Sequence, residues 1–136
     1  MDTMTLSSCR GASDVSVATV LVVEDEILVR LPISEYLRDC GYDVLEATDA
    51  REALALIEAG HVVDLVFSDV RMPGTMDGFA LANWLRRNRP DVRVLLTSGY
   101  DGRTSSHANV ERDVALIAKP YSQARVAHSI HSLLHG

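Results

Sequence analysis

Five short apolar runs punctuate the chain, at residues 20–23, 44–47, 65–67, 94–96 and 114–118. Each is too short to be a helix and is bounded by polar or turn residues, so each reads as a strand buried on both faces. Between the runs the apolar period changes. Val29, Ile33, Tyr36, Leu37 and Cys40 fall on one helical face, as do Ala50, Ala53, Leu54 and Ile57. Asp49 is placed to cap the second of these helices, with Glu52 three residues on and Gly60 to end it. Leu81, Trp84 and Leu85 mark a third helix, and Val126, Ile130, Leu133 and Leu134 the last. Residues 103–111 are polar with little apolar stripe, which predicts a short, marginal and mobile helix. Strands alternating with helices predict a doubly wound α/β domain, because parallel neighbours need helical crossovers and both sheet faces need cover.

One local rule is broken. Pro32 falls inside the first helix, where it removes a backbone donor and crowds the carbonyl of Leu28. A bend or an irregular first turn is expected there, beside the place where the acidic residues of the next paragraphs gather.

At 136 residues the chain is one domain with room for a proper core. Residues 1–17, rich in Ser, Thr, Gly and Asp without periodicity, predict a disordered leader, and 18–136 the folded unit. A net charge of −6 argues against a general nucleic-acid footprint. No apolar run reaches the length of a membrane span, and the N-terminus lacks a secretory pattern, so the expected location is the cytoplasm. Cys9 and Cys40 suit that compartment as free thiols, without a disulfide between them. With no second domain visible after Gly136, any output is expected from this domain's own surface.

Four of the five runs end on a functional group. Glu24 and Asp25 follow the first, Asp69 the third, Thr97 the fourth and Lys119 the fifth. Taken singly, Asp25 reads as a helix cap, Lys119 as a surface lysine and Thr97 as an ordinary strand residue. Together they converge, because ligands of open parallel sheets bind beyond the carboxyl ends of the strands. Two carboxylates about 4 Å apart repel by roughly 4 kcal/mol at an effective dielectric near 20. Mg²⁺ would offset this, since it takes one or two carboxylates, keeps several waters and leaves room for phosphate oxygens. A lysine and a hydroxyl beside a carboxylate supply the remaining parts for stabilising a phosphoryl group, with Asp69 as nucleophile. His128, His131 and His135 recur on the last helix opposite Val126, Ile130 and Leu133, and read as a solvated face. Arg86, Arg87 and Arg89 suit the dipole at the end of the third helix.

The segments Val22-Val23-Glu24-Asp25, Ser68-Asp69-Val70-Arg71-Met72-Pro73, Thr97-Ser98-Gly99-Tyr100 and Lys119-Pro120-Tyr121 together resemble the receiver domain of two-component response regulators, over roughly residues 18–135. The resemblance implies a flavodoxin-like five-stranded sheet of order 2-1-3-4-5, the order the general switch-point rule cites for a relative of this family. It implies Asp69 as phosphoacceptor, with Asp25 and Asp69 as direct Mg²⁺ ligands, Glu24 acting mainly through metal-bound water and the backbone carbonyl of Arg71 completing the set. Thr97 and Lys119 would hold phosphoryl oxygens, and a cis bond before Pro120 would aim Lys119 inward. Implied partners are a sensor histidine kinase or histidine phosphotransfer protein and a downstream protein. Neither direct nucleic-acid binding, membrane attachment nor enzymatic turnover beyond its own phosphorylation and dephosphorylation is implied.

The chain also departs from the pattern. Leu116 stands where many receivers carry a switch aromatic, so Tyr100 and Tyr121, as in a subgroup with a Thr-x-Gly-Tyr signature, are the expected coupling residues. The spacer 72–78 is longer than usual. Three readings follow: a stand-alone phosphoacceptor that switches a protein-binding surface, a constitutive interaction module of the same fold, and an aspartyl phosphohydrolase. The last is disfavoured because Arg71 occupies the position two after Asp69 where such enzymes carry a second acid.

Overall fold

Within residues 17–99 and 114–135, the part of the chain that the computed structural model describes, strands and helices alternate as the apolar periods predict. They are β1 (Thr19–Val23), α1 (Ile27–Asp39), β2 (Asp43–Ala47), α2 (Ala50–Glu58), β3 (Leu65–Asp69), α3 (Gly78–Asn88), β4 (Arg93–Ser98), β5 (Ala115–Ala118) and α4 (Gln123–His135). All five strands pair in parallel in the order β2-β1-β3-β4-β5. The helix expected at 103–111 lies outside the described residues, as do residues 1–16 of the expected leader.

Alternation along each strand divides the core in two. Leu21, Val23, Val66, Val94 and Leu96 face α2 and α3, meeting Ala53, Ile57, Phe79, Leu81 and Leu85. Val20, Val22, Val44, Leu65, Phe67, Leu95 and Ile117 face α1 and α4, meeting Ile33, Leu37, Val126 and Ile130. Both layers are closed to water, and each fully buried leucine contributes about 1.5–3 kcal/mol relative to an exposed one. This is why the strands read as unbroken apolar runs.

The helix ends follow the sequence signals. Asp49 Oδ1 accepts from the Glu52 N–H at 2.9 Å, and Glu52 Oε1 reaches back to the Thr48 N–H at 2.7 Å. Gly60, at φ +105°, closes α2 in a conformation that L side chains rarely adopt. Helix α1 runs through Pro32 to Asp39, and its N-cap, Glu26, makes no side-chain capping bond.

Two expectations are corrected. Cys40 is buried at the end of α1 with its sulfur in a disulfide rather than free. Compartment and spacing arguments carry no information on the distance that decides pairing; the other cysteine, Cys9, lies outside the described residues. The histidine face is only partly solvated. His128 and His135 are exposed, but His131 is half-buried with Nδ1 buried and unpartnered, and its ring lies 4.5 Å from that of His135. Arg89 follows α3 and sits over the Trp84 ring at 6.0 Å, so it serves the tryptophan as well as the helix end. Among the described residues no helix is long and apolar enough to cross a membrane.

Candidate functional site

The layer facing α1 and α4 continues past the strand ends into polar residues. Along β1 the series Val20, Val22 leads to Glu24, and along β3 Leu65, Phe67 leads to Asp69. Along β4 Leu95 leads to Thr97, and along β5 Ile117 leads to Lys119. The two-residue repeat that buries the apolar members therefore delivers the polar ones to the same side. Register fixes their depth, because Asp69 pairs with Thr97 and Thr97 with Ile117.

The groups meet. Lys119 Nζ donates to Asp69 Oδ2 at 2.9 Å, with side chains 36% and 12% exposed respectively. Asp69 Oδ1 accepts from the Arg71 N–H at 3.2 Å. The Lys119–Pro120 bond is cis, as the resemblance implied. Thr97 is buried, and its carbonyl accepts from the Val70 N–H at 2.9 Å, tying the start of the loop after Asp69 to β4. Glu24 is buried with Oε2 accepting from the Glu26 N–H at 3.0 Å, whereas Asp25 beside it is exposed.

Crowding of acids shows in the titration behaviour. Burial, then the charge of Asp69 and a hydrogen bond with Asp25, push Glu24 up to about 7, against the opposing Glu26 N–H and Lys119 charge. Burial works against the charge on Lys119, but the hydrogen bond and charge of Asp69, with that of Glu24, outweigh it and raise its pKa. Tyr121, half-buried with its ring edge against Phe67 at 5.9 Å, is raised by burial; Lys119 opposes the shift and Glu24 and Asp69 add to it. Among the described residues no three carboxylate, imidazole or thiol side chains close on one point as a metal cage does.

Glu24, Asp69, Thr97 and Lys119 thus stand at the ends of β1, β3, β4 and β5, with Asp25, Arg71, Pro120 and Tyr121 beside them in the chain. Tyr100 lies outside the described residues. Leu116 is 48% exposed on the edge strand β5, on the opposite side of that strand from Ile117.

Three residues were not foreseen. Gly78, the first residue of α3, presses on the chain after the phosphoacceptor candidate. A Cβ there would overlap the carbonyl oxygen of Asp69 and lie 2.8 Å from Val70 Cα. Its N–H donates to the Val70 carbonyl at 2.8 Å, closing the long spacer, while Asp77 caps α3 through the Ala80 N–H. An Asp-Gly pair reads as a turn in sequence, and nothing local reveals the close approach. Arg30 and Glu46 are the others. Arg30 Nη1 donates to the Glu24 carbonyl at 2.9 Å and Nε to Glu46 Oε1 at 2.9 Å. A single acid within the otherwise apolar part of β2 was the available signal for Glu46.

The family model for the response regulator receiver domain matches residues 20–131. The chain belongs to this receiver-domain family. Over 119 residues the receiver is 38% identical to the sensor kinase CckA of Brucella abortus, covering 86% of this chain and 12% of that protein. Over 104 residues it is 38% identical to the transcriptional regulatory protein PdtaR of Mycobacterium tuberculosis, covering 76% and 50%. The chain thus spans half or less of the length of these relatives. The chemotaxis response regulator CheY4 of Vibrio cholerae superposes with a TM-score of 0.75 at 28% identity, covering 88% of this chain and 100% of that one. A receiver protein from Sinorhizobium medicae has a TM-score of 0.81 at 24% identity, covering 90% and 98%, a likeness of fold alone.

Proposed function

We propose that this receiver accepts a phosphoryl group on Asp69 from a phosphohistidine of a sensor kinase or phosphotransfer protein, and that the modified domain binds a downstream protein. The observation that carries the reading is the Lys119 ammonium on Asp69 Oδ2 at 2.9 Å, with Thr97 in register beside that carboxylate. A carboxylate oxygen of Asp69 attacks phosphorus as the P–N bond to the donor imidazole breaks, and the imidazole leaves with the bonding pair and takes up a proton. Lys119 exchanges its partner, from Asp69 Oδ2 to a phosphoryl oxygen, keeping a positive charge where negative charge accumulates. The Thr97 hydroxyl donates to another phosphoryl oxygen.

The donor set fits Mg²⁺. Oxygen ligands only, and one acid raised to about 7 by burial and by its acidic neighbours, suit a hard cation that keeps several waters. Asp25, Asp69 and the Arg71 carbonyl would hold it, with Glu24 reaching it through water. When bound it neutralises the crowded acids and the phosphoryl oxygens. Exposed Ile27, Leu28 and Leu31 on α1 beside Glu24 and Asp25 give a donor protein an apolar rim to dock on.

Incubation with acetyl phosphate and Mg²⁺ is expected to add one hydroxylamine-labile phosphoryl group to the wild type. It should add none to Asp69→Asn, and none when the metal is chelated. Retention of the label in Asp69→Asn would remove Asp69 from the mechanism. A second reading, a constitutive interaction module, draws support from exposed Leu116 at the usual switch-aromatic position. It is distinguished by equal partner affinity before and after phosphorylation.

A further inference from the structure

We propose that Arg30 is a positioning residue for the acidic pair, bracing the turn that carries Glu24 and Asp25 against β2. The inference rests on the reading of the acid pocket given above and concerns how that pocket is held open for its cation.

Only residues 24–26 separate β1 from α1, so the two acids ride on a very short connection. Its inner end is fixed by the backbone, Glu24 N–H to the Ala47 carbonyl at 3.0 Å. Arg30 supplies the rest. Its own N–H donates to the Glu26 carbonyl at 2.8 Å, and its Nη1 donates to the Glu24 carbonyl at 2.9 Å. One residue therefore ties both ends of the turn. The bond goes to a carbonyl and not to a carboxylate, which leaves the acid oxygens to other partners.

The guanidinium is itself held. Nε donates to Glu46 Oε1 at 2.9 Å, and the second oxygen of Glu46 accepts from Arg38 Nη2 at 3.1 Å. Glu46 sits in register with Val22 on β1, so the anchor is part of the sheet. The Arg30 side chain is 13% exposed and that of Arg38 is 43%. The covered cation needs its partners, whereas the exposed one is a rim contact of small energetic weight. A lysine could not substitute for Arg30. One ammonium is a point charge and cannot reach the Glu24 carbonyl and the Glu46 carboxylate in two directions from a rigid fork.

The test is Mg²⁺ titration by calorimetry, with urea unfolding in parallel, of wild type, Arg30→Ala, Arg30→Lys and Arg38→Ala. Both Arg30 variants should bind Mg²⁺ about tenfold more weakly, the usual effect of losing a group that orients metal ligands. Arg38→Ala loses a bond to the same Glu46 but none to the turn, and should keep wild-type affinity whatever its stability. Arg30→Lys keeps the charge and serves where Arg30→Ala folds poorly. Unchanged affinity in Arg30→Lys, or a loss shared by Arg38→Ala in proportion to stability, overturns the proposal. Wild-type protein that binds no Mg²⁺ overturns the pocket reading and this inference with it, a result distinct from either.

Discussion

Glu24 shows how a single side chain records the character of the pocket. Its pKa is raised from 4.5 to about 7 by burial and by Asp69 and Asp25. The folded state therefore holds a proton on Glu24 that the unfolded chain has released, and stability falls as pH rises between those two values. Glu24→Gln removes this dependence. The variant should match the wild type near pH 4 and exceed it by roughly 1–3 kcal/mol above pH 7 in metal-free buffer. Urea titrations at pH 4, 6 and 8 check it, and a wild type that gains on the variant with rising pH would contradict the assigned burial. At this scale the sequence was legible where a residue ended an apolar run. Asp69, Thr97, Lys119 and Glu24 were found because the strand period points them together. Arg30 and Gly78 were not, since their significance lies in contacts across the fold, with the Glu24 carbonyl and the Asp69 backbone.

Two glycines separate local from long-range constraint among the elements. Gly60 ends α2 at φ +105° with nothing within 4 Å of the place a Cβ would take, so its requirement is conformational. At Gly78 the limit is space, because α3 begins against the carbonyl of Asp69. Gly78→Ala should cost roughly 1–3 kcal/mol and also slow phosphoryl uptake, as the Asp69 backbone is pushed aside. Gly60→Ala should cost about as much through its backbone yet leave uptake unchanged. Urea unfolding and timed phosphorylation of both variants measure the split. Element types were readable from periodicity throughout the described residues, since the central strands β1, β3 and β4 are buried on two faces and each helix on one. Cap residues were readable where the side chain acts locally, as at Asp49. The disulfide at Cys40 and the half-burial of His131 were not, because both depend on neighbours that a helical wheel does not contain.

For the whole molecule, alternation establishes a doubly wound sheet but leaves strand order open. The order β2-β1-β3-β4-β5 came from resemblance, and the strand pairing bears it out. That order is what gathers the acids, since it sets β1 beside β3 and β3 beside β4 with Asp69 level with Thr97. The polar residues then end on one rim of the sheet, and under the proposed reaction a phosphoryl group there would draw Lys119 off Asp69. The most direct measurement is borohydride reduction of the protein after brief treatment with acetyl phosphate and Mg²⁺, followed by peptide mapping. An acyl phosphate is reduced to an alcohol, so the account predicts conversion of residue 69 from aspartate to homoserine and of no other acid. Reduction at Asp25 or Glu24 instead, or an unreduced Asp69 in a protein that has gained a phosphoryl group, would contradict it.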